Sequence, residues 1–308
     1  MGVSHIIGNQ RLKECASEMA TTAIDSLALK STRALSNVAR RWRQHKYRHF
    51  MPHVSTEYQQ IVREIESEGV SIRSVSDLKL ESNPAFLADA QAAASELREA
   101  GPNCILGDHT VRLDAKRIAT TYPAVYLWGL DEGLLDLAET LIREPAAYHG
   151  VIFRQEVVND RETATRLWHR DAEDHQTIRL NVYLSDVTTE DDGPFQYISR
   201  SIDPRNLPAF STARESNDVI PPNLWKSCLG PSGTVVIADV ANIFHRGKNP
   251  KSPRICASHY YTSRKPLNPR LCREFSFASG ISSLDVTLNS RQYDCLWEYK
   301  DLFRGSVE

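Results

Sequence analysis

Trp168-His169-Arg170-Asp171 sets an imidazole and a carboxylate two residues apart. On a β-strand, side chains alternate between faces, so His169 and Asp171 would point the same way. Together they supply two of the three ligands of the facial two-histidine, one-carboxylate set. That set holds non-haem iron(II) and leaves coordination positions open. A turn carrying two solvated polar residues would show the same triplet. The triplet gains meaning from a second pattern downstream. Gly233 to His245 reads as a buried strand, a turn and a second imidazole, 76 residues after His169. Nine residues further on, Arg254 opens another strand, Ile255 to Tyr261. The order His-x-Asp, distant His, then Arg is far more specific than any one of its parts.

The other histidines fit less well. His175 lies four residues after Asp171 and would substitute as a ligand if the strand ended early. His259 falls inside the last strand, where a hydrogen-bonded core histidine is the simpler reading. His109 and His149 have no acidic partner at ligand spacing and read as structural.

These residues resemble the Fe(II)/2-oxoglutarate-dependent dioxygenases, and within them the phytanoyl-CoA dioxygenase-like branch. The resemblance spans residues 150–265. It is carried by Trp168-His169-x-Asp171, the strand Ile178 to Asp186, the segment Asp192-Gly-Pro-Phe-Gln-Tyr-Ile-Ser-Arg-Ser201, Gly233 to Asp239, and His245 to Arg254. The chain departs from the family at Ile198-Ser-Arg-Ser201, where a Pro-Gly turn and a terminal His are usual. That turn often borders the substrate, so the departure leaves substrate class open.

The resemblance implies that His169, Asp171 and His245 form the catalytic iron centre. Cofactor and cosubstrates would be Fe(II), 2-oxoglutarate and O2. The implied reaction is hydroxylation of an unactivated C–H bond in a small molecule, with release of succinate and CO2. Related halogenases replace the carboxylate ligand with a small residue, and Asp171 is present here. Arg254 is placed to hold the far carboxylate of 2-oxoglutarate, which favours a planar two-donor guanidinium over an ammonium. Arg246 ranks second, because an extended backbone would turn it to the other face. Asn181, Tyr183 and Gln155 are polar side chains on neighbouring strands that could bond the cofactor, or close hydrogen bonds within the sheet. Two other functions keep the barrel: a cupin-type metal enzyme without 2-oxoglutarate, in which Arg254 has no necessary role, and a non-catalytic small-molecule-binding barrel.

A site of this kind needs strands to aim it. Val151 to Val158, Leu167 to Asp171, Thr177 to Val187, Phe195 to Ile198, Thr234 to Val240 and Ile255 to Thr262 read as short strands between polar or Gly/Pro breaks. The expected class is mainly β with flanking helices: a double-stranded β-helix (jelly-roll, cupin-like) core under an N-terminal helical layer. Residues 1–120 read as the helical region and 121–308 as the catalytic core, with an insertion at 202–230 and a C-terminal helix over Asn289 to Phe303. The whole reads as one structural domain. Helices are expected over residues 8–46, Tyr58 to Glu68, from Asn83-Pro84 to Gly101-Pro102, and from Asp131 to Glu144, each with an apolar stripe or a capping signal. The insertion, with Pro204, Pro208, Pro221 and Pro222, is a candidate lid or a passive surface loop.

Composition narrows the rest. The chain has 308 residues, 41% of them hydrophobic, which suffices for a core. Its net charge of −2 points to no nucleic-acid or membrane partner as a whole. Arg40, Arg41, Arg43, Lys46 and Arg48 form a local basic cluster. It reads as a solvated helix face, or as a surface that greets an anionic substrate or a lipid. Six cysteines without a Cys-x-x-Cys pair, and no secretory signal, suggest reduced thiols in a cytoplasmic protein. No apolar run has the length of a membrane span. Nothing in the sequence sets the oligomeric state.

Overall fold

Residues 36–99, 104–202, 220–272 and 287–296 are described by the computed structural model. Residues 1–49 and 50–308 form two separate units. In the first, residues 36–47 are a helix, α1, which carries the basic cluster and sets Lys46 over the Trp42 ring at 3.8 Å. The remainder of the expected helix over 8–46 lies outside the described residues.

The second unit is built on antiparallel strands: β1 (Val70–Ser74), β2 (Cys104–Leu106), β3 (Thr110–Leu113), β4 (Ala146–Glu156), β5 (Ile178–Tyr183), β6 (Phe195–Ile198), β7 (Trp225–Cys228), β8 (Thr234–Asp239), β9 (His245–Gly247) and β10 (Arg254–Ser263). A seven-stranded sheet has the order β1-β8-β5-β10-β4-β3-β2, and a three-stranded sheet the order β7-β6-β9. His169 bridges to His245 on the free edge of β9, so the segment between β4 and β5 extends the small sheet. From β4 onward the chain passes back and forth between the two sheets, staying in the small one only for the β6–β7 pair, which makes the double-stranded β-helix expected from the sequence. β5, β8 and β10 are buried along their whole length, although β5 and β10 carry polar side chains such as Arg179, Asn181, Ser258 and His259.

The facing sides of the two sheets enclose one apolar cluster that includes Val236, Ala238, Phe195 and Tyr197. The outer face of the large sheet is covered by helices, among them α2 (Thr56–Glu68), α3 (Asn83–Arg98), α4 (Ala115–Thr121), α5 (Pro123–Trp128) and α6 (Glu132–Ile142). Phe86 stacks on Trp128 with ring centroids 4.4 Å apart, and His259 lies 4.9 Å from Trp128 in the same layer. Asn83, which opens the expected third helix, does not cap it: it is the first residue of α3, behind Ser82, which makes no side-chain cap bond. Ser55 and Asp131 accept first-turn amides of α2 and α6, and Pro84 sits in the first turn of α3. Gly69 ends α2 at φ 90°, where a Cβ would lie 2.2 Å from Ile243 Cγ2, so both conformation and space demand glycine.

Several expectations change. The N-terminal region is not only helical: it contributes β1 to one edge of the large sheet, and β2 and β3 to the other. Val70 to Ser74 carry little pattern in only five residues; the edge of β8 makes them a strand. Trp225 to Cys228, inside the expected insertion, is likewise strand β7 because it meets the edge of β6. Residues 203–219, and with them the expectation of a lid, lie outside the described residues. The expected strand Leu167 to Asp171 is reduced to a bridge at Trp168 and His169. Of the C-terminal helix, Ser290–Cys295 is described (α8, after the short α7, Pro269–Cys272), with Asn289 and Gln292 in a reciprocal cap. No helix among the described residues is long and apolar enough to cross a membrane. Cys104, Cys228, Cys256, Cys272 and Cys295 are free thiols.

Candidate metal centre

His169 and His245 are joined through their backbones. His169 N donates to His245 O at 3.1 Å, and His245 N to His169 O at 2.9 Å. Asp171 N donates to Val240 O at 3.0 Å, which docks the next turn of chain against the end of β8. The two imidazoles lie 4.3 Å apart between centroids, inclined by 49°. His169 Nδ1 is 2.7 Å from Leu167 O. A carbonyl can only accept, so Nδ1 carries the proton and Nε2 keeps its lone pair. That Nε2 lies 3.5 Å from Asp171 Oδ1, and His245 Nε2 lies 3.7 Å from the same oxygen. One ligand atom from each of the three residues falls within 4.8 Å of the others.

This cluster fits a metal ion. Buried His245 Nε2 has no hydrogen-bond partner among the described residues, an unusual state for a polar atom unless it is a ligand. Burial, then the neighbouring His169, push the His245 pKa well below its ordinary value against the pull of Asp171. Its imidazole is therefore neutral and able to coordinate. Two imidazole nitrogens and one carboxylate oxygen suit a first-row divalent ion such as iron(II).

Asp171 Oδ2 is engaged separately by the Arg179 guanidinium. Arg179, on β5, lies 4.4 Å from the centroid of the Tyr260 ring on the adjacent β10. Burial opposes its charge, but Asp171, Tyr260 and Glu173 together outweigh it and raise its pKa. Glu173 lies close by: burial, then the charge of Asp171, push its carboxyl up to about 7.

A cavity between the sheets is lined by His169 and His245 at one part of its wall and by Arg254 at another. Arg254 is 4% exposed, and its Nε and Nη1 have no hydrogen-bond partner among the described residues. Its Nη2 lies 3.6 Å from Glu156 Oε1. Glu156 also meets Arg154 (Nε–Oε1 3.0 Å) and Arg166 (Nη2–Oε2 3.8 Å). The Arg154 contact is a charge contact too poorly aligned to count as a hydrogen bond. Burial pushes Glu156 up, but Arg154 and Arg254 outweigh it, so it is held below its ordinary value and stays ionised. Gly247 faces Arg254 across the cavity, and a Cβ there would come within 3.3 Å of Nη2. Arg154, Arg179 and Arg254 line the cavity, and Glu156 and Asp171 beside them are their counter-charges.

The structure brings His169, His245 and Arg254 to one cavity and sets Asp171 beside the two imidazoles. Asn181 also lines it, with Oδ1 accepting from Ser258 Oγ at 2.6 Å. Tyr183 contributes its ring, but its hydroxyl is used between the sheets: it donates to Cys228 O and accepts from Phe195 N, both at 3.0 Å. Gln155 is a correction. Arg154 and Glu156 point into the barrel, so Gln155 between them points to the other face and is absent from the cavity wall. Arg246 is spent elsewhere, between the rings of Trp168 (4.7 Å) and Trp225 (4.3 Å), with Nε donating to Gln196 Oε1 at 2.9 Å. His175 is not in the cluster. His259 and His149 are buried and hydrogen-bonded, to Tyr148 Oη at 2.9 Å and Thr262 Oγ1 at 2.6 Å. Arg154 and Arg179 are the cavity residues that sequence reasoning misses. The available signal is an arginine inside an otherwise apolar strand.

Fold and cluster together define a jelly-roll protein with a buried His-Asp-His centre. No protein-family model matches the sequence, and no curated protein matches it. Among solved structures, the chain is similar to the epimerase SnoN in complex with Fe3+, alpha ketoglutarate and nogalamycin RO. The TM-score is 0.48 at 15% identity, over 76% of this chain and 91% of that one. It is also similar to HygX from Streptomyces hygroscopicus with nickel, 2-oxoglutarate and hygromycin B bound (TM-score 0.45, 14% identity, 67% and 87% covered). A third likeness is AviO1 from Streptomyces viridochromogenes Tue57 (0.46, 16%, 68% and 97%).

Proposed function

We propose that this protein is an Fe(II)- and 2-oxoglutarate-dependent oxygenase that hydroxylates an unactivated C–H bond of a small molecule, as the sequence resemblance to the phytanoyl-CoA dioxygenase-like branch implies. The observation that supports it most is Arg254. A buried guanidinium with two unpartnered nitrogens lines the same cavity as the two histidines of a two-histidine, one-carboxylate cluster. A cupin-type metal enzyme without an oxo acid has no use for that cation, and a passive binding barrel has no use for the cluster.

In this reading His169, Asp171 and His245 hold the iron. Arg254 binds the far carboxylate of 2-oxoglutarate, and Glu156 holds Arg254 and Arg154 in place without neutralising both. Iron(II), 2-oxoglutarate and O2 together supply the oxidising power to break the C–H bond, with succinate and CO2 as co-products. The enclosing sheets keep water from the cavity, and Tyr183 ties them together. The arginines that line the cavity favour an anionic small-molecule substrate.

Anaerobic titration of the purified protein with Fe(II) and 2-oxoglutarate should raise a visible charge-transfer band. Admission of air should then yield succinate. Absence of both would sink the proposal.

A further inference from the structure

Asp171 is held at its backbone, where its N–H donates to Val240 O at 3.0 Å. It lies beyond the two-residue bridge at Trp168 and His169, outside any strand. Its carboxylate has two oxygens, and whatever engages one of them decides which is left for an ion. Arg179 lies on a central strand buried along its length, so its backbone is fixed. Its guanidinium is further fixed by the face of Tyr260, its register partner on β10.

We propose that Arg179 is a positioning residue that holds Asp171 Oδ2 and so commits Oδ1 to the metal. The proposal rests on the assignment of His169, Asp171 and His245 as metal ligands. The geometry is already divided this way. Oδ2 meets Arg179, whereas Oδ1 is the oxygen that both imidazole Nε2 atoms approach, at 3.5 and 3.7 Å. The guanidinium suits a buried ion pair of this kind because it is more weakly hydrated than an ammonium. It also offsets the cost of burying the Asp171 charge before any metal arrives.

Positioning and mere proximity predict opposite signs. As a bare charge, Arg179 repels a cation, so removing a bystander would tighten metal binding. Removing a positioning group loosens it, since loss of a group bonded to a ligand weakens metal affinity about 10- to 100-fold. The test uses the full chain under anaerobic conditions with Co(II) as the probe, read by the visible ligand-field band and by tryptophan quenching. Arg179→Leu should weaken Co(II) binding about 10- to 100-fold and change the band, because a released carboxylate can chelate through both oxygens. Arg179→Lys should recover part of the affinity. Tyr260→Leu, which leaves the ion pair in place but removes its platform, should shift affinity in the same direction by less. Unchanged or tighter Co(II) binding with an unchanged band in Arg179→Leu would overturn the proposal. If circular dichroism shows that variant unfolded, Tyr260→Leu decides by the same criterion. Failure of the unaltered protein to bind Co(II) would instead remove the ligand assignment itself.

Discussion

His169 and His245 lie 76 residues apart in sequence, yet they exchange both backbone hydrogen bonds as an antiparallel pair. Such a pair fixes the Cα atoms of the two residues as immediate neighbours before either side chain makes a contact. The imidazoles are thus aimed by the sheet, and the third ligand is brought in by the turn after His169.

Because the backbone makes the bridge, His169→Ala should fold. Its melting temperature should stay close to that of the unaltered protein. Its Co(II) or Fe(II) affinity should fall by more than the roughly 100-fold lost when a group that only supports a ligand is removed. Calorimetric titration measures this, and retained affinity would place the metal elsewhere.

Arg254→Lys keeps a charge but loses the two-donor plane. Charge-assisted hydrogen bonds contribute about 1.5–3 kcal/mol each, so the 2-oxoglutarate requirement should rise roughly 10- to 100-fold. Succinate formation against 2-oxoglutarate concentration reads this directly. An unchanged KM would show that the oxo acid is held by other groups.

Arg246→Ala is the contrasting case. It empties the space between Trp168 and Trp225 and leaves Gln196 without its donor. The expected cost is about 2–4 kcal/mol of unfolding free energy, with the 2-oxoglutarate KM unmoved. A raised KM in the folded protein would return Arg246 to the site.

Tyr183→Phe tests whether that phenol serves the fold. Cys228 O and Phe195 N would each lose a partner in a buried place, at a cost of about 1–3 kcal/mol. Urea unfolding should show the loss, and 2-oxoglutarate binding should not change.

Burial holds His149 and His259 down to about 3, against an ordinary 6.5. Both stay neutral in the folded chain, whereas unfolding lets them take up protons below pH 6.5. The unfolded state then binds more protons, so stability rises with pH between those values and is lost as pH falls from 6.5 toward 3. Inside that window each histidine contributes about 1.4 kcal/mol per pH unit. His149→Gln should therefore flatten the decline in urea midpoint between about pH 7 and about pH 5 by one proton's worth. A slope equal to that of the unaltered chain would mean that His149 is not held neutral by the fold.

The sequence by itself determined the order of chemistry: His-x-Asp, a distant His after a buried strand, and an arginine opening the next. It also marked α2, α3 and α6: the stripes of α3 and α6 and the first-turn Pro84 of α3 are local features, written within one or two helical turns. Tertiary structure decided what depends on distant partners. Val70 to Ser74 and Trp225 to Cys228 are strands only because β8 and β6 offer free edges. In β4, Arg154, Gln155 and Glu156 follow one another in a strand with apolar residues on both sides, so alternation separates their faces without saying which face is the barrel interior. The meeting of Arg179 with Asp171 was hidden for the same reason: it depends on how β5 packs against a turn that no short-range pattern describes.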